Sequence, residues 1–266
     1  MWKVLPFRVV VSALLFCLSS GLVFGQPKTS PSPQKSAKAP SRSEPKPPPG
    51  MKWADQGDDV KYAGSAFGGA LLQEGETLLG CGAGFPEIFC EFNFADSRYF
   101  NLAGKLSIQY AMGFSLLGFN VFFTVPMRFG ILQGSRLSFA IKVEPGAFIG
   151  GLYLDSYFWG FSLNPGALFT YQILDNLLVN FGIEIPTVLS FEPDYPGDAL
   201  GTSVNLAIEL RGGIEYRLNK TLALFAQIGI GPMLYFENFA RRLSQGKDGV
   251  VVSGVARLTV GVIYRR

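Results

Sequence analysis

Val252-Ser253-Gly254-Val255-Ala256-Arg257-Leu258-Thr259-Val260-Gly261-Val262-Ile263-Tyr264-Arg265 is the stretch that decides the fold. From Val252 to Tyr264 every second residue is apolar or glycine. The alternate set carries Ser253, Arg257, Thr259, Gly261 and Arg265. A period of two means an extended strand with two unlike faces. Other segments repeat it. Leu137, Phe139, Ile141 and Val143 oppose Ser138, Lys142 and Glu144. Val179, Phe181, Ile183 and Ile185 oppose Asn180, Gly182 and Glu184. Val204, Leu206, Ile208, Leu210, Ile214 and Tyr216 oppose Asn205, Glu209, Arg211, Glu215 and Arg217. A soluble sandwich would turn its greasy face inward and load the other with exposed Lys and Glu. Here the polar face is sparse, mostly Ser, Asn, Gly, Thr and a few charges, which suits a narrow enclosed space. An apolar exterior around a polar interior marks a transmembrane β-barrel.

The pattern places strands near 61–72, 88–97, 101–114, 117–130, 136–150, 156–173, 176–191, 202–218, 221–238 and 250–265. Tight turns fall at 132–135, 174–176 and 218–220, and longer polar connections at 192–201 and 239–249. Short and long connections alternate, as the two rims of an outer-membrane barrel require. The expectation is an all-β, antiparallel up-and-down barrel of ten strands over residues 60–266. Eight strands is the alternative if the first, glycine-rich pair does not insert.

Residues 1–25 read as a signal peptide: Lys3 and Arg8, an apolar run from Val9 to Leu18, and a cleavage site at Val23-Phe24-Gly25. No later apolar run reaches the roughly 20 residues of a spanning helix. Residues 26–59 form a linker rich in Pro, Lys and Ser that cannot bury a core. Within it, residues 26–52 read as a periplasmic spacer or as a basic strip for anionic peptidoglycan. The formal charge of +3 is concentrated before the barrel. Residues 55–266 are net acidic, so no basic groove for nucleic acid remains. Localisation in a bacterial outer membrane follows, with the tail in the periplasm.

Outward-parity aromatics cluster at two levels: Phe129, Tyr171, Tyr216 and Tyr264 near the tight turns, and Tyr157, Trp159, Phe191 and Phe236 near the long loops. Two such girdles are expected where a barrel meets the membrane interfaces. Cys81 and Cys90 are an exported pair, which favours a disulfide at the base of the first outside loop over two free thiols. Pro126, Pro145, Pro165, Pro186 and Pro232 fall within proposed strands. All but Pro126 lie about one crossing, roughly 10 residues, from a tight turn, so they are expected at the outer rim, where bulges are tolerated.

The chain resembles the small bacterial outer-membrane barrels, in the general style of the OmpA membrane domain, as an architecture over residues 60–266. The sharpest motif is the C-terminal assembly signal of such proteins, matched at Thr259, Gly261 and Tyr264, with Arg266 in place of the usual terminal aromatic. The resemblance implies outer-membrane lipid and the barrel assembly machinery as partners.

The chain contains no histidine. Ser-His-Asp and Cys-His catalysis are excluded, as are histidine metal sites. The reading is therefore a non-enzymatic barrel without cofactors, with a lipid-acting barrel enzyme as the weak third reading and Glu184 and Glu209 as its route to carboxylate chemistry. Lys142, Glu144, Glu184, Glu209, Arg211 and Arg257 lie at similar heights on the polar face. An unpaired charge in a narrow lumen is costly, so these six should pair. They form either a plug, leaving loops and tail to do the work, or the constriction of a narrow solute or ion channel.

Overall fold

The computed structural model describes residues 64–97, 99–110, 118–152, 156–192, 201–237 and 250–266. Thirteen ladder segments form one sheet. Three pairs of consecutive segments are halves of one strand, so the wall has ten strands. They are β1 (Thr77–Phe85), β2 (Glu87–Ser97), β3 (Phe100–Tyr110), β4 (Gly118–Thr124 with Met127–Gln133) and β5 (Leu137–Leu152). β6 (Ser156–Leu174), β7 (Leu177–Glu184 with Thr187–Glu192), β8 (Gly201–Ala207 with Glu209–Arg217), β9 (Leu222–Glu237) and β10 (Val250–Arg265) complete it. Each strand pairs antiparallel with the next, and β10 returns to β1 with Arg265 opposite Leu78 and Leu258 opposite Phe85. Thr77 and Arg266 exchange both backbone hydrogen bonds, so the ladder closes to the last residue. No helix among the described residues is long and apolar enough to cross a membrane; the crossing is made by strands.

The two faces separate as the alternation requires. On β10, Leu258 is 56% exposed, whereas Thr259 is 5% and Ile263 0% exposed. Leu106, Phe123, Ile149, Phe161, Leu210 and Ile228 are likewise exposed, each on a different strand. The interior holds Asn93, Thr170, Asn180, Glu184, Glu209 and Glu215, all buried, with Phe122, Phe148 and Leu168 as apolar filling. A large apolar surface on a closed sheet has no stable place in water and matches a lipid phase.

Tight turns gather at one rim. Asn219 makes one of them: its side-chain oxygen accepts from the backbone N–H groups of Thr221 and Leu222 at 2.9 and 2.8 Å. Phe129, Tyr171, Tyr216 and Tyr264 face outward near this turn rim. Tyr157 and Trp159 face outward near the opposite, loop rim, where the Trp159 and Phe191 rings pack in a tilted arrangement at 4.7 Å between centroids. Phe236 lies one residue from the described end of β9.

Two expectations are corrected here. Residues 64–72 are not a wall strand. They fold back inside the barrel, and the wall begins at Thr77. The segment is almost all Gly, Ala, Ser, Phe and Leu, which suits a confined lumen as well as a glycine-rich strand. Residues 61–63, the signal peptide and the linker lie outside the described residues.

The prolines are the second correction. They lie inside the sheet, not at its rim, because β5 runs on from Pro145 to Leu152 and β9 from Pro232 to Glu237. Each proline lacks a donor, but its carbonyl still serves the neighbouring strand. Ala103, Val125, Ile185, Ala207 and Ile208 donate to Pro126, Pro145, Pro165, Pro186 and Pro232 at 2.8–3.0 Å. Pro126, too deep for a rim position, belongs to this same tier. The cost is a ladder interruption, visible as the breaks in β4, β7 and β8.

Candidate functional site

The proline tier coincides with a belt of charge. Lys105 Nζ lies 2.6 Å from Glu87 Oε1. Glu87 Oε2 is 3.5 Å from Arg257 Nη1, and Arg257 Nε is 3.0 Å from Glu209 Oε2. Arg211 bridges Glu209 and Glu184 at 3.4 and 2.9 Å. Lys142 bridges Glu184 and Glu144 at 2.8 and 2.9 Å. The sequence Lys105–Glu87–Arg257–Glu209–Arg211–Glu184–Lys142–Glu144 thus alternates in sign at every step. It draws on β2, β3, β5, β7, β8 and β10 and is neutral overall.

Register explains the geometry. Glu209 and Glu184 are direct cross-strand partners, a repulsive pair unless a cation spans them. Arg211, two residues along β8, does so. Between the charged strands stand glycines. Gly166 of β6 separates Lys142 from Glu184. Gly229 of β9 separates Arg211 from Arg257. A Cβ on Gly166 would lie 2.9 Å from Glu184 Cγ, and one on Gly229 would strike the Glu209 carboxylate. The charged side chains therefore lie over glycine, within reach of each other. Neutral hydrogen bonds complete the shell: Thr124 donates to Glu144 at 2.7 Å, and Asn164 Nδ2 to Glu184 at 2.7 Å. Buried ions in low dielectric need such pairing and hydrogen bonding to offset desolvation.

The six charges expected from sequence all lie in this belt. Parity alone did not single out Glu87 and Lys105, which complete it. Their signal was present: Glu87 and Glu91 alternate with Ile88 and Cys90, and Lys105 shares the parity of Ala103 and Ser107.

Below the belt, towards the turn rim, lies the insert 64–72. Its Phe67 packs against Phe89 and Phe225, at centroid distances of 5.7 and 4.6 Å. A cavity of about 30 Å³ separates Phe67 from the belt, with Glu91, Arg128 and Gln227 also on its walls. That volume accommodates a water or two. Glu215, Arg128, Arg217 and Arg265 hold the insert; only their positions on the polar face were legible beforehand.

Cys81 and Cys90 are direct cross-strand neighbours on β1 and β2, with Cα atoms 4.1 Å apart and the sulfurs bonded. They lie mid-wall on the lipid-facing side, not at the base of a loop; the β1–β2 connection is only Pro86. Of the assembly-signal residues, Thr259 and Gly261 face the lumen and Tyr264 faces out. Gly261 stands against Gly82 of β1, and a Cβ there would strike the Cys81 carbonyl oxygen.

A closed ten-stranded sheet, greasy outside and charged within, defines an outer-membrane barrel fold. No family model matches the chain, and no curated protein matches it. Among solved structures it is similar to the outer membrane protease OmpT from Escherichia coli, at 7% identity, over 72% of this chain and 92% of that one, with a TM-score of 0.40. It is also similar to OmpT, an outer membrane protein of Vibrio cholerae, at 10% identity, over 72% and 96%, with a TM-score of 0.23. The first of these corrects one expectation. An outer membrane protease stands among the similar structures, so the exclusion of enzymatic activity drawn from the missing histidine is withdrawn. At these scores the likeness carries no activity over to this chain.

Proposed function

We propose that this chain is a barrel of the Gram-negative outer membrane whose lumen is closed to solutes and whose working surfaces lie at its two rims. The carrying observation is the unbroken alternation of charge from Lys105 to Glu144 across the lumen. An ion crossing the belt must displace a paired side chain, and a cavity of about 30 Å³ lies beneath it. The loop rim faces the outside in this reading. The turn rim and the N-terminal tail face the periplasm, where residues 26–52 bring six basic side chains less one, counting Lys52 and Glu44, to anionic peptidoglycan. Outer-membrane lipid surrounds the wall. The assembly machinery reads β10 through Thr259, Gly261 and Tyr264.

Planar-bilayer recording with the purified full chain tests the closed lumen. Little or no current is expected. A steady conductance whose ion selectivity shifts in Lys142→Met or Arg211→Met protein would show that the belt is a constriction and not a seal.

A further inference from the structure

The cylinder is complete without residues 64–72. β1 is paired on both edges, with β2 and with β10, and neither ladder uses the insert. The insert joins the wall through the exposed turn 73–76. There Gly75 adopts a φ of +80° and Glu76 N–H donates to Gln73 O at 2.9 Å.

Wall side chains grip the insert by its backbone. The Gly64 carbonyl accepts from Arg217 at 3.2 Å and from Arg265. The carbonyls of Ser65 and Gly68 accept from Arg128 at 3.0 and 3.3 Å. The N–H groups of Ala66 and Phe67 converge on the Glu215 carboxylate at 3.2 and 3.3 Å, joined by the Ser65 hydroxyl at 2.5 Å. Gln133 donates to Gly69 O at 2.9 Å and accepts from Leu71 N–H at 3.0 Å, and Thr170 accepts from Ala70 N–H at 3.1 Å. Every residue from 64 to 71 therefore offers a main-chain group to the wall. Side-chain selection centres on residues 67–69, flanked by the Ser65 hydroxyl and the buried Leu72. Phe67 fills the Phe89–Phe225 pocket. A Cβ on Gly68 would strike Asn180 and Thr170, and one on Gly69 would strike the Leu168 carbonyl.

We propose that the turn-side half of the lumen is a peptide-binding site selective for an aromatic-Gly-Gly turn, and that residues 64–72 occupy it as a ligand in cis. Main-chain recognition plus a single aromatic pocket is how a protein reads a peptide, whereas a structural plug needs only to fill space. The proposal does not depend on whether the lumen conducts.

The test uses the folded full chain with a protease site inserted between Glu74 and Gly75, nicked after purification in detergent. A synthetic, fluorescently labelled peptide of residues 64–73 is the probe. The N-terminal fragment should stay with the barrel on a sizing column and be displaced by excess peptide. The Gly69→Ala peptide should compete at least tenfold less well. Glu215→Gln in the chain should weaken retention, while unboiled gel mobility stays that of a folded barrel. Three results overturn the proposal. One is a fragment that leaves at once while the nicked barrel takes up no peptide. Another is a fragment that no concentration of peptide exchanges, even in Glu215→Gln protein. The third is a barrel that loses its folded mobility on nicking, since the insert is then part of the folding core.

Discussion

At the scale of single residues, position on the strand decides what a charge costs. Lys142 neutralises two carboxylates at once. Lys142→Met is expected to destabilise the barrel by about 3–5 kcal/mol, because Glu144 and Glu184 are left buried and facing each other. Lys142→Met with Glu144→Gln should recover part of that loss. Urea titration in detergent, followed by unboiled gel mobility, reads both. On the outer face, Leu258→Arg should cost about 2–4 kcal/mol near the midplane. Asn205→Arg, half-buried on the lumen side near the loop rim, should cost much less. Equal loss at the two positions would reverse the assignment of faces. Parity alone located Lys142, Glu184 and Arg257 in the lumen. It could not pair them, because strands far apart in sequence meet at heights set by barrel stagger.

At the scale of elements, closure rests on small residues. β1 and β10 approach at Gly82 and Gly261, where no side chain fits between them. Gly261→Val is expected to cut the yield of closed barrel severely. Gly104→Val, whose Cβ would meet open space, should assemble normally. The fraction showing heat-modifiable migration distinguishes them. Nine of the ten strands were legible from alternation and turns. The first was misplaced because 61–72 and 77–85 are both rich in glycine and small apolar residues, and only the pairing with β10 shows which is wall. The prolines were misread for a related reason. Distance from a turn gives height, but not that the strands continue beyond the membrane-crossing length, as the 19 residues of β6 do.

At the scale of the molecule, the wall is uneven. β5, β6, β9 and β10 run 16 to 19 residues, while β1 has 9. On the loop side the first hairpin is therefore the low point of the described rim. The lumen is layered along its length: the insert nearest the turns, a small cavity, the charge belt at the proline tier, then aromatics such as Phe122 and Phe148 stacked at 4.7 Å. The alternation predicted a polar interior. It could not predict layering, which depends on a segment from outside the wall entering it.

The position of the disulfide fixes an order of events. Cys81 and Cys90 sit on the lipid side amid Leu79, Ile88, Phe92, Leu106 and Val262, all exposed on the outer wall. Water-soluble oxidants and reductants do not enter hydrocarbon, so the bond must be made before β1 and β2 reach the membrane, and it is thereafter beyond chemical exchange. The β1–β2 hairpin would then arrive already registered, with Cys81 opposite Cys90, as a template for the edge that β10 finally joins. Reducing and alkylating the protein before insertion into vesicles should leave both cysteines modified. The same reagent applied with reductant after insertion should modify neither, and peptide mass spectrometry without reduction reads the difference. Ready reduction of the inserted protein would place that part of the wall in contact with water.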